Sequence, residues 1–111
     1  MQSVDIATRF AQNLVLCRKR AGLSQEEVGV RASLHRTEIS QLERGLRLAR
    51  IDTLVKLAGA LSVSPLALLE GIDWTPGTMT YGQFTVASAT PEEAEDSAAQ
   101  AGPSLAPTRS A

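Results

Sequence analysis

Cysteine, histidine and aromatic residues are scarce in this chain of 111 residues: one Cys, one His and 4% aromatics. A single Cys17 excludes an internal disulfide. With His35 as the only imidazole, there is no zinc-type ligand spacing, so neither metal nor cofactor is expected. No run of about 18 apolar residues occurs, which excludes a membrane-spanning helix. The N-terminus lacks a basic stretch followed by an apolar core, the pattern of a secretory signal. These absences predict a soluble, cytoplasmic protein without membrane partners. Glu26 and Glu27 are the one adjacent acidic pair in the N-terminal half, but no nucleophile or second base accompanies them. They suit the first turn of a helix, where acids favour the dipole, and no catalytic residue is expected.

The formal net charge of −1 hides two unlike parts. Residues 1–72 carry ten Lys/Arg against seven Asp/Glu, a balance of +3, whereas residues 73–111 carry five acids against Arg109 alone, a balance of −4. Composition changes at the same point. Residues 73–88 are Gly-interrupted and hold Trp74, Tyr81 and Phe84. Within them, Thr78-Met79-Thr80-Tyr81 and Gln83-Phe84-Thr85-Val86 read as short strands around Gly82. The three aromatics are expected to pack on the helical core or on a second subunit. From Thr90 the chain is Ala, Ser, Pro, Thr and Glu, with Leu105 as its only large apolar residue. Residues 89–111 therefore read as an acidic tail without a fold.

The N-terminal part reads as all-α, with five short helices over residues 4–72. Ile6, Phe10, Leu14, Cys17 and Ala21 share one face of the first helix. Cys17 is thus expected to be a buried structural thiol. Gly22 ends that helix. Ser24 with Glu27 three residues on is a capping-box signature for a second helix through Ala32. A third runs from Arg36 to Arg44 and stops at Gly45, and a fourth covers residues 51–61. Ser64-Pro65 opens a fifth, reaching Glu70 and closed by Gly71. Helices this short must share one core.

Residues 24–32, a three-residue turn at 33–35, and residues 36–44 have the form of a helix-turn-helix. On the second of these helices Arg36, Thr37, Ser40, Gln41 and Arg44 fall within about 140°, with Ile39 and Leu42 opposite. Two guanidiniums, two hydroxyls and an amide on one face are chemistry suited to base edges in a DNA major groove. A plain solvated helix face has the same periodicity.

Three blocks carry a resemblance: Gly22-Leu23-Ser24-Gln25-Glu26-Glu27-Val28, Ile39-Ser40-Gln41-Leu42-Glu43-Arg44-Gly45, and Leu54-Val55-Lys56-Leu57-Ala58-Gly59-Ala60-Leu61-Ser62-Val63. In this order and spacing they resemble the phage-repressor/Cro-like helix-turn-helix regulators, also called the XRE family, over about residues 9–71. The resemblance implies a sequence-specific regulator of double-stranded DNA, a repressor by expectation, of bacterial or phage type. It implies base contacts from Arg36, Thr37, Ser40 and Gln41. Phosphate contacts are implied for Gln25, which would also buttress the recognition helix, and for Arg44, Arg47 and Arg50. Arg18 and Glu43 are implied as a structural ion pair. A homodimer over two half-sites is expected, with residues 73–88 as the dimer element. The alternative is an antitoxin or interaction module that also autoregulates, for which the tail lacks a long amphipathic segment.

Three positions depart from the family pattern. Ser33 stands where glycine is common, which costs about 1 kcal/mol if the turn is left-handed. His35 stands where Ser or Thr caps the recognition helix, an expected loss of about 1 kcal/mol. Leu48-Ala49-Arg50 replaces a capping Asn-Pro-Ser before the fourth helix. His35 itself is expected to be a partly exposed turn residue.

Overall fold

The computed structural model describes residues 5–92. Five helices come first: α1 (Ile6–Ala21), α2 (Gln25–Ala32), α3 (Arg36–Glu43), α4 (Ile51–Leu61) and α5 (Pro65–Leu68). Two strands follow, β1 (Ile72–Thr75) and β2 (Gln83–Val86), paired antiparallel. Among the described residues no helix is long and apolar enough to cross a membrane.

Helix ends follow local chemistry. The Asp5 carboxylate accepts from the Thr8 N–H and caps α1, and Gly22 closes it in the left-handed region. Ser24 and Glu27 form a complete capping box on α2. Ser64 caps α5 with Pro65 in its first turn. Arg50 occupies the N-cap of α4 without a side-chain cap bond, as its replacement of the usual polar residue leads one to expect. The fifth helix is shorter than expected, ending at Leu68 because the chain turns there toward the hairpin.

The core is one cluster built from Phe10 and Leu14 of α1, Val28 of α2, Ile39 and Leu42 of α3, Leu57 and Leu61 of α4, and Leu68 of α5. Burying a side chain of this size contributes about 1.5–3 kcal/mol. That outweighs the weak propensity of eight-residue helices and fixes α2 and α3 on the others.

The hairpin corrects the sequence expectation. Residues 78–81 form no strand; β2 pairs instead with Ile72–Thr75, in the register Ile72↔Val86, Trp74↔Phe84. Gly82 alone cannot reverse the chain between two strands, since hairpin loops need at least two residues. The observed pairing also puts apolar side chains opposite one another. Trp74 and Phe84 pack edge-to-face, with ring centroids 5.0 Å apart at 77°. Each is 55% exposed, with Phe84 also facing Ile6 and Phe10 of α1 across an apolar groove, while Tyr81 is fully exposed.

The segment after β2 returns to α1. Pro91 is buried, and the Arg9 guanidinium donates to the Ala89 carbonyl. Ala89, Thr90 and Pro91, which the sequence assigns to the tail, thus lie at the foot of α1. The rest of the expected tail without a fold, residues 93–111, lies outside the described residues.

Candidate nucleic-acid interface

The corner between α2 and α3 is set by two backbone features. Ser33 takes the left-handed conformation (φ 56°) and its N–H bonds back into α2. Gly29 lets the turn approach closely: a Cβ there would lie 2.8 Å from the Leu34 carbonyl oxygen. The Leu34 N–H donates to the Gly29 carbonyl at 2.8 Å. Any side chain at residue 29 would push the turn outward, so this glycine positions α3. Sequence reasoning missed it, although a glycine inside a helical pattern signals close packing.

His35 corrects a second expectation. Its Nδ1 accepts from the Thr37 N–H at 3.2 Å, and the Glu38 carboxylate accepts from the His35 N–H at 3.3 Å. The imidazole nitrogen thus replaces the usual hydroxyl, and α3 keeps its cap. Nδ1 also lies 3.1 Å from the Thr37 hydroxyl oxygen.

On α3, Ile39 and Leu42 are buried in the core. Arg36, Thr37 and Arg44 are exposed on the opposite side, with Ser40 and Gln41 half-buried. The turn after α3 brings Arg47 to Gln41, its guanidinium donating to the Gln41 amide oxygen at 3.1 Å. Arg50 stands at the start of α4, where its guanidinium lies 3.4 Å from the Asp52 carboxylate, both side chains largely exposed. Asp52 offsets part of the positive charge that Arg50 brings.

Behind this surface lies a shared carboxylate. Arg18 donates to Glu43 through Nε at 2.6 Å and Nη2 at 3.0 Å. Gln25 Nε2 donates to the same carboxylate at 3.0 Å. One acid on α3 therefore ties down α1 and the first residue of α2. Glu43 holds the Arg18 guanidinium above its already high pKa through that hydrogen bond. Two parallel bonds to one carboxylate fix orientation as well as distance.

Sequence reading did not single out Arg9 and Asn13, both only 1% exposed. Arg9 Nε donates to the Glu70 carbonyl at 2.9 Å. Asn13 Nδ2 donates to the carbonyls of Leu68 and Glu70 at 2.9 and 3.0 Å. Both positions flank the apolar stripe of α1, the one signal that could have flagged them. Cys17 is half-buried against the core rather than fully enclosed, and burial pushes its thiol pKa up, with Arg20 opposing.

Comparison with known proteins agrees with this arrangement. The family model described as Helix-turn-helix (HTH_3) matches residues 14–68. An uncharacterized HTH-type transcriptional regulator of Sinorhizobium fredii is 38% identical over 73 residues, covering 66% of this chain and 95% of the relative. Control protein C.BamHI of Bacillus amyloliquefaciens is 41% identical over 67 residues, 60% of this chain and 83% of the relative. The restriction-modification controller protein C.AhdI of Aeromonas hydrophila superimposes with a TM-score of 0.55 at 35% identity, covering 56% of this chain and 94% of that one. An α2–α3 corner with a polar outer face, and relatives matched over most of their length, lead to one conclusion: the chain belongs to the HTH_3, or XRE-type, helix-turn-helix family of DNA-binding transcriptional regulators.

Proposed function

We propose that the chain is a sequence-specific repressor that lays α3 in the DNA major groove. The observation that carries this reading is the exposed polar face of α3 on a corner held by Glu43. Arg36, Thr37, Ser40 and Gln41 then meet base edges, and Gln25, Arg44, Arg47 and Arg50 meet phosphates. Arginine suits guanine and glutamine suits adenine, each in bidentate geometry. On binding, Thr37 and Gln41 exchange their present partners, His35 and Arg47, for DNA. Similarity to two named control proteins supports control of a defined gene set.

Selection of duplexes from a random pool tests the assignment. Arg36→Ala and Gln41→Ala should each relax preference at one position, by about 1–3 kcal/mol, while salt-dependent binding persists. Unchanged preference in both variants would remove α3 as the reader.

The reading includes a homodimer, since one such module spans a short site and repressors of this form bind paired half-sites. Residues 73–88 are its dimer element in this reading. The half-exposed Trp74–Phe84 pair supports it, because Phe84 also lines an apolar groove of about 220 Å³ with Ile6, Phe10, Leu48 and Leu69. Sedimentation of Trp74→Ser/Phe84→Ser should show a monomer; a variant that stays dimeric would refute this element.

A further inference from the structure

A second groove, of about 460 Å³, lies on the outer side of α1. Ala11, Gln12, Val15 and Leu16 of α1 line it, together with Arg44 at the end of α3 and Pro91 of the returning segment. We propose that it receives the chain's own next residues, 93–99, and that their carboxylates there oppose DNA phosphates at Arg44. The second half of the proposal rests on reading α3 as the DNA-binding helix.

Three observations point to this occupant. The first is where the described chain stops: Glu92 is itself part of the groove lining. Arg9 holds the Ala89 carbonyl just upstream, and Pro91 is buried. A segment tethered at the groove meets it at an effective concentration of millimolar or more. Seven residues reach up to about 24 Å, enough to run along the helix.

Charge is the second. Glu93, Glu95 and Asp96 follow at once, and the groove lining includes the cations Lys19 and Arg44. The side chains of these two cations make no hydrogen bond or ion pair with another described residue. Of the two acids in the lining, Glu92 belongs to the returning segment itself and is exposed at the groove's edge, while Glu43 already accepts from Arg18 and Gln25. The Glu43 charge is therefore balanced by Arg18, and Lys19 and Arg44 outnumber Glu92, so the groove favours an incoming anion.

Shape is the third. Ala94, Ala98 and Ala99 are small and apolar, suited to the apolar floor of Ala11, Val15 and Leu16. Carboxylates docked beside Arg44 lie within a Debye length, about 10 Å at 0.1 M salt, of a phosphate approaching it. Docking and DNA binding then compete, most strongly at low salt.

The test uses the full-length chain and its variant Glu93→Gln/Glu95→Gln/Asp96→Asn. Without DNA, at 50 mM salt, the NMR methyl signals of Ala11, Val15 and Leu16 should differ between the two chains, and should converge at 500 mM salt. On a duplex selected as above, the variant should bind about three- to tenfold more tightly at 50 mM salt, with the gap closing at 300 mM. Identical methyl signals at 50 mM salt would overturn the occupancy. Equal affinities at 50 mM salt would overturn the competition. If neither chain selects any duplex, the reading of α3 fails, and the methyl comparison still decides whether the groove is occupied.

Discussion

The helical part and the C-terminal extension each take an arginine from α1 out of water, and they treat it differently. Arg18 meets a carboxylate, so charge is balanced by charge and α1 is tied to α3. Arg9 meets the carbonyls of Glu70 and Ala89, and its Nη2 has no hydrogen-bond partner among the described residues. The apolar side chains differ in the same way: Leu14, Ile39 and Leu57 are fully buried, whereas Trp74 and Phe84 are half exposed. The helices are held by a shared core. A two-stranded hairpin is marginal alone, and this one is held at its ends by carbonyls that Arg9 binds and by Ile72 packed on the core. The contrast teaches that the extension is an attachment whose position rests on a few polar bonds and on the apolar contacts of Ile72, Phe84 and Pro91.

Removing the stronger anchor should have the largest effect. Arg18→Met leaves Glu43, whose side chain is 5% exposed, with the Gln25 amide alone. The loss should be about 3 kcal/mol, toward the low end for a buried pair because Arg18 keeps some solvent. Urea unfolding measures it, and a loss below about 1 kcal/mol would show that the core, not the pair, holds α1 to α3.

Gly71→Ala tests the extension. Gly71 has φ +82°, and a Cβ there would lie 2.5 Å from Arg9 Nη2. The left-handed backbone costs a non-glycine residue about 1 kcal/mol, and a clash with an immobile buried side chain raises the total to about 2–3 kcal/mol. The cost should fall locally: hydrogen exchange should quicken in β1, β2 and the returning segment while α2 to α4 keep their protection. Uniform loss across the chain would mean that the two parts unfold as one unit.

The smallest effect concerns acid. The Thr8 N–H holds the Asp5 carboxyl below its ordinary value of 3.8, and the Ser24 N–H holds Glu27 below 4.5. Carboxylates lowered by folding favour the native state above their ordinary pKa, and that contribution fades as pH falls through the folded value. Both caps lie in the helical part, so acid should fray the starts of α1 and α2 before it disturbs the hairpin. NMR titration of the Thr8 and Glu27 amides follows this; hairpin signals moving first would reverse the order.

Much of the helical part was legible in the sequence because its signals are local. Ser24 with Glu27, Ser64 with Pro65, and the spacing of Ile6, Phe10 and Leu14 each act within one or two turns. The His35 cap is less legible, because His is not a residue type that ordinarily caps a helix, although its imidazole nitrogen accepts the same N–H as a Ser or Thr hydroxyl. The candidate DNA-facing side chains were placed on one face of α3 by periodicity, and they lie there. Their links to Arg47 and His35 depend on how the following turn and the cap run, which periodicity does not carry. The strand at Ile72–Thr75 is not legible locally: it straddles the boundary between the helical part and the Gly-interrupted segment, and its partner lies across a connection of residues 76–82.

By itself, the sequence determined where the helices start, which residues form their apolar faces, and which polar set α3 presents. Those properties come from interactions between residues three or four apart, so a linear reading reaches them. Only the tertiary structure decided that Arg9 is buried beneath Gly71, that Glu43 serves both Arg18 and Gln25, and that Pro91 returns to α1. Each of these joins groups far apart along the chain. A charged side chain leaves water only where the whole fold supplies partners for it.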